Sequence, residues 1–293
     1  MSAEVSRGRT GKAALLLDLA RRERRATSPR ARVPEPMVLS GLDSVDAFHE
    51  AGADGGPMLA LYDASARSVS RLLPSGGLVL DLGCGSGRFA AHLAQRRPDV
   101  RIVGLDLADT MLHQGTLMLQ EASLDDRVTL RRGDMCDLTG LDGLEPAVVC
   151  VNMALHHLQT VSDLEVCARE LAGMTQRTAC AVWLFDMNRL RDPQSYHVLL
   201  DASPEFSGKL LADALASEAA SWTSEELRAA LLAAGLDANS ATTAPLALFQ
   251  SHWQAASVAA SSGHEEHWCP ADLPELLEAE AAGVYRQLGV KLS

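Results

Sequence analysis

In the stretch Val79–Ala94, VLDLGCGSGRFAAHLA, an apolar run meets three glycines and passes into a segment of helical spacing. Strand, glycine turn and helix together form a unit that holds adenosine-containing cofactors at the carboxyl edge of a parallel sheet. A P-loop is excluded, because it needs a lysine after its last glycine and Arg88 stands there instead. A dinucleotide fingerprint spaces its glycines as Gly-x-Gly-x-x-Gly, whereas here they occupy positions 83, 85 and 87. Spacing alone discriminates weakly, and Asp81 discriminates better. A carboxylate two residues before Gly83 opposes a pyrophosphate and attracts a cationic ligand group.

Beyond this unit, strand and helix patterns alternate, which predicts an α/β fold with helices on both faces of a mostly parallel sheet. Strands are expected at Leu78–Leu82, Arg101–Asp106, Val128–Arg132, Ala147–Asn152 and Cys180–Asp186, with extended segments near Ala238–Thr243 and Leu246–Trp253. Helices are expected over Thr10–Ala26 and Met58–Leu73, the latter stopped by Pro74. A third is expected over Trp222–Leu236, where Thr223 and Glu226 form a capping box and Gly235 supplies the stop.

Two further acids extend the argument from Asp81. Asp106 ends the second strand in IVGLDLADTML, where a carboxylate can accept both ribose hydroxyls of an adenosine cofactor. Asp134 follows the third strand in RRGDMCD and can accept a hydrogen from an adenine amino group. Three acids near the ends of successive strands point to one crevice. S-adenosylmethionine has no phosphate and carries a sulfonium and an ammonium, so it suits these carboxylates where a dinucleotide does not.

The segments LDLGCGSGRF, GLDLADTML, RRGDMCD and VCVNMALHHL resemble the successive cofactor motifs of class I S-adenosylmethionine-dependent methyltransferases, over about Leu78 to Leu158. The resemblance implies a three-layer Rossmann-like fold with a seven-stranded sheet of order 3-2-1-4-5-7-6, the last strand antiparallel. It assigns Gly83 and Gly85 to the methionine end of the cofactor, Asp106 to the ribose, Asp134 to the adenine and Asn152 to the methionine-side lip. Cys84, Leu107, Met111, Gly133 and Met135 join them from the same motifs, and Tyr62 in LALYDAS resembles an aromatic that closes over the cofactor. The implied organisation is an N-terminal helical extension or lid over 1–74 and a methyltransferase domain over 75–293, with a helical substrate-side insert at about 187–221. S-adenosylhomocysteine would be the product.

Candidate bases follow the fourth strand, where a neutral imidazole of His156 or His157 can accept a substrate proton. His49, Tyr196, His197, His252 and Trp253 are further pocket candidates, each read as structural or surface. His264–Cys269, HEEHWC, holds three zinc-type ligands without a fourth at recognisable spacing, so no metal is expected.

The formal charge of −12 argues against a nucleic acid partner, and the fourth strand ends in NMAL rather than the Asn-Pro-Pro-Tyr of amino-group methyltransferases that act on adenine or glutamine. A small biosynthetic molecule remains as the expected acceptor, methylated on oxygen, nitrogen or an activated carbon. The alternatives are a noncatalytic binder of the same cofactor and a nicotinamide-dependent oxidoreductase. Ala13–Ala20, AALLLDLA, is too short for a membrane span and precedes its basic cluster, which argues against a signal peptide. The six cysteines show no metal or redox spacing, which fits a cytoplasmic protein with reduced thiols. Monomer and homodimer both stay open, and the basic run Arg21–Arg32 reads as a solvated, partly disordered arm.

Overall fold

The computed structural model describes residues 14, 15, 17–26, 30–36, 46, 49–53, 56, 58–201, 208–242 and 247–256. A helix α1 (Leu59–Leu72) leads into β1 (Leu78–Leu82), and the chain then runs α2 (Arg88–Arg96), β2 (Arg101–Asp106), α3 (Asp109–Glu121) and β3 (Val128–Arg132). It continues through β4 (Val148–Asn152), a single 3-10 turn at Leu155–His157, α4 (Val161–Thr178) and β5 (Ala181–Met187). After α5 (Pro193–Asp201), α6 (Gly208–Ala220) and α7 (Ser224–Ala233), β6 (Asn239–Thr242) and β7 (Phe249–Gln254) complete the sheet.

The sheet order is β3-β2-β1-β4-β5-β7-β6, as expected from the sequence. The first five strands pair in parallel, while β7 lies antiparallel between β5 and β6, with Leu184 opposite His252 and Ala241 opposite Ser251. The common dinucleotide-binding order places six parallel strands as 3-2-1-4-5-6, so the antiparallel insertion of β7 separates this chain from that architecture. Strand boundaries fall within three residues of those expected.

Every position of β4 and β5 is buried, which is why VVCVN and AVWLFDM read as continuous apolar runs rather than alternating ones. On one face Val69, Phe89, Leu93 and Leu119 from α1, α2 and α3 pack on Val79, Ile102 and Val148. On the other, Leu164, Leu171 and Leu227 from α4 and α7 pack on Leu80, Leu82 and Val149. The capping box expected at Thr223 is present: its hydroxyl accepts from Glu226 N, and the Glu226 carboxylate accepts from Thr223 N at 2.8 Å. A second one, Thr160 with Asp163, starts α4.

The basic arm departs from the expectation of a solvated tail. Arg21, Arg22, Arg24 and Arg25 are exposed, but Arg30 pairs with the buried carboxylate of Glu218. Arg32 donates to the carbonyls of Ala220, Gln159, His156 and Leu158 and lies 3.8 Å from the centre of the Trp222 ring. Carbonyls left unpaired where α6 and the 3-10 turn end draw in the guanidiniums, so a run that looks like a charged linker docks in its second half. The expected helix over 10–26 is described in part, with residues 17–25 helical, and His264–Cys269 lies outside the described residues. No described helix is long and apolar enough to cross a membrane.

Candidate active site

Strand ends and the loops that follow them build the site. Gly83 and Gly85 both adopt positive φ, at 70° and 54°, so the chain turns sharply after β1. A Cβ on Gly83 would stand 2.5 Å from the Ala154 Cβ, so the turn also sits too close to the β4 loop for any side chain. Gly83 N and Cys84 N donate to Leu105 O, and Gly85 N donates to Asp106 Oδ2 at 2.7 Å. The other Asp106 oxygen accepts from Ala108 N at 2.8 Å. An ionised carboxylate has about four acceptor positions, so Asp106 is held by backbone and keeps capacity for a ligand's hydroxyls. Burial raises its pKa, against these hydrogen bonds.

Asp81 is 1% exposed. Its Oδ1 takes long contacts of 3.5 Å from the Cys150 thiol and the Asn152 amide, and its Oδ2 has no partner. Burial pushes its pKa up to about 7, with Asp106 adding to the rise. A buried acid so poorly solvated suits an incoming cation. Asp134 accepts from Cys136 N through one oxygen.

One cavity of about 180 Å³ gathers these groups. Its walls include Tyr62, Asp81, Gly83, Cys84, Gly85, Asp106, Leu107, Met111, Gly133, Asp134, Met135 and Asn152, together with His156 and His157. All the residues expected at the cofactor and catalytic positions therefore line the same space. Tyr62 is buried edge-on to Phe89, and burial beside Asp81 raises its phenol. Met153, where β4 meets the cavity, is held at φ 55°, a strained conformation for this residue type.

His49, Tyr196, His197, His252 and Trp253 do not line the cavity. His49 Nδ1 meets Ser86 Oγ at 2.9 Å, His252 Nε2 meets Gln250 Oε1 at 3.0 Å, and Tyr196 is buried among Leu19, Met187, Leu190 and Leu200. His49, His252 and Tyr196 are thus structural positions, and His197 is exposed.

The far end of the cavity contains groups that the sequence reading did not single out. His156 is buried, and its Nδ1 donates to Asp186 Oδ1 at 2.6 Å, while Asp186 Oδ2 accepts from the His156 backbone N–H at 3.0 Å. Glu35 places Oε1 3.4 Å from His156 Nε2 and 3.3 Å from His157 Nδ1. Burial works against a charge on His156, but Asp186 and Glu35 outweigh it and raise its pKa. His157 moves the other way, lowered by burial and by His156. Glu35 is raised by burial and steadied by Ser217 Oγ at 3.2 Å. Asp186 had a sequence signal, an acid near the end of a buried strand as Asp81 and Asp106 are. Glu35 had none, because the contact spans 121 residues.

Residues 79–177 match the family described as a methyltransferase domain. Over these residues, about a third of its length, the chain is similar to class I S-adenosylmethionine-dependent methyltransferases. The Bacillus subtilis protein YqeM, described as a methyltransferase, is 32% identical over 105 residues, 36% of this chain and 40% of that one. The release factor glutamine methyltransferase of Rhodopirellula baltica is 30% identical over 142 residues, 44% of this chain and 46% of its own length. The chain thus spans less than half the length of these relatives. An O-methyltransferase family protein from Burkholderia thailandensis shares the fold with a TM-score of 0.53 at 18% identity, over 73% of this chain and 60% of that one. The family match ends at the close of α4, so Glu35, Asp186, Asp213 and Ser217 lie in parts of the chain outside it.

Proposed function

We propose that the chain transfers a methyl group from S-adenosylmethionine to an oxygen, nitrogen or activated carbon of a small acceptor. One observation carries this reading: the unpartnered, buried Oδ2 of Asp81 belongs to a residue in the wall of the cavity that Asp106 and Asp134 also line. Three carboxylates oppose a pyrophosphate and favour an adenosine ligand bearing positive charge. The residues present fit S-adenosylmethionine. Asp81 and Asn152 would hold its amino-acid end, Asp106 its ribose and Asp134 its adenine, while Gly83 and Gly85 allow close backbone approach. When bound, it supplies a methyl group already activated on a sulfonium.

The chain's own task is then to position an acceptor and to manage its proton. Asp186 fixes the His156 tautomer with the proton on Nδ1, which leaves the Nε2 lone pair free to accept a proton from a hydroxyl or ammonium. Asp186 and Glu35 stabilise the imidazolium that forms. Glu35, Asp213 and Ser217 bring the N-terminal segment and α6 into the cavity wall, which supports reading residues 1–74 and 187–221 as the acceptor-side cover.

Calorimetric titration of the full chain with S-adenosylhomocysteine and, separately, with a nicotinamide dinucleotide tests the cofactor. Binding of the first alone is expected, and binding of the dinucleotide alone would overturn the reading. Screening acceptors with labelled donor then identifies the substrate.

A further inference from the structure

We propose that Glu35, His156 and His157 form a binding site for a divalent transition-metal cation of the zinc type, opening on the acceptor end of the cavity. No metal is expected from the sequence; the site arises because a segment near residue 35 is folded against the turn after β4. Glu35, His156 and His157 each offer one ligand atom within 4.8 Å of those of the other two.

The distances favour a coordination sphere over an ion pair. A charge-assisted N–H···O contact closes to about 2.7–2.9 Å, and the neighbouring His156–Asp186 contact is shorter still, at 2.6 Å. Glu35 instead stands 3.4 Å from His156 Nε2 and 3.3 Å from His157 Nδ1. Tetrahedral bonds of about 2.0–2.1 Å put neighbouring ligand atoms about 3.3–3.4 Å apart. The carboxylate is thus too far for a good ion pair and at the spacing of a shared metal.

The supporting shell is also in place. Asp186 accepts the Nδ1 proton of His156, the carboxylate–histidine arrangement that orients a metal-ligating imidazole. Gln159 Nε2 donates to the Glu35 backbone carbonyl at 2.6 Å, and Ser217 Oγ holds its carboxylate. Arg32, the nearby cation, directs its N–H groups to four carbonyls. His157 Nδ1 also lies 3.3 Å from Pro36 O, a contact that metal binding would replace.

Two imidazoles and one carboxylate leave a further position open, as in catalytic zinc sites. An acceptor hydroxyl coordinated there would release its proton to solvent more readily. That use rests on the methyl-transfer reading, whereas the metal site does not; with a cation bound, His156 Nε2 is a ligand, and its role as base belongs to the metal-free chain alone.

The test uses the full chain, stripped with a chelator and titrated with Zn²⁺ by calorimetry and with Co²⁺ by visible absorption. One equivalent is expected, with the intense bands of tetrahedral Co²⁺. Glu35→Gln and the double variant His156→Ala/His157→Ala should lose it, and Asp186→Asn should weaken it about 10–100-fold. Asp106→Ala should keep Co²⁺ while losing S-adenosylhomocysteine. Failure of the folded wild-type chain to take up either cation overturns the site even if S-adenosylhomocysteine binds. Undiminished uptake by the double variant also overturns it and moves attention to His264–Cys269. Uptake of Co²⁺ without any binding of S-adenosylhomocysteine would sustain the metal site and remove the methyl-transfer reading.

Discussion

Asp81→Asn should stabilise the ligand-free chain while weakening its hold on the cofactor. The Asp81 carboxyl moves from an ordinary value of 3.8 to about 7 on folding because burial strips its solvent. Below pH 3.8 it is protonated in both states, and above about 7 it is charged in both. Between those limits the folded chain holds a proton that the unfolded chain has released, so stability falls as pH rises through the window. A displacement of about 3 units amounts to roughly 4 kcal/mol lost above about pH 7.

An asparagine removes that loss, offset by about 1–3 kcal/mol for an amide left short of partners. The net gain is roughly 1–3 kcal/mol, or about 2–10 °C in Tm for a domain of this size. Thermal melts across the window should show a falling Tm for the wild type and a shallower fall for the variant, in which Asp106, Glu35 and His156 still titrate with raised pKa values. The same substitution removes the charge proposed to meet the ligand's ammonium, so affinity for S-adenosylhomocysteine should fall about 10–100-fold by calorimetry. A variant that melts lower than the wild type above about pH 7, or that keeps the wild-type pH slope, would refute burial as the cause of the shift. A variant with unchanged affinity would remove Asp81 from the cofactor site.

Asp106→Ala should cost about 2–4 kcal/mol of S-adenosylhomocysteine affinity, since it loses both the ribose contacts proposed for it and the support of Gly85 N and Ala108 N. Calorimetry checks this, and an unchanged Kd would place the ribose elsewhere. Arg32→Ala should lower stability by about 2–4 kcal/mol, because one guanidinium ties residues 30–36 to the 3-10 turn and to the end of α6. In the folded variant, turnover should fall while S-adenosylhomocysteine binding stays within about threefold, well under 1 kcal/mol. Equal losses in both would show that the segment supports the whole cavity rather than its acceptor end.

The two ends of the cavity differ in how legible they were, and the difference has a physical origin. Asp81, Gly83, Gly85, Asp106 and Asp134 follow from local rules, because a buried parallel strand, a turn needing positive φ and an acid at the strand end are patterns of adjacent residues. His156 and His157 were visible for the same reason. Their partners were not equally visible. Asp186 stands next to last in β5, in the run AVWLFDM, and could have been found by applying the strand-end rule once more. Glu35 could not, because its neighbours Pro34 and Pro36 read as a linker and its position depends on where Arg30 and Arg32 dock across the chain. The proposed cofactor end is therefore written in short-range sequence and lies within the family match, while the proposed acceptor end is assembled by contacts more than 100 residues apart. If that division is causal, exchanging residues 30–36 with the matching segment of a relative should change which acceptor is methylated and leave the affinity for S-adenosylhomocysteine in place.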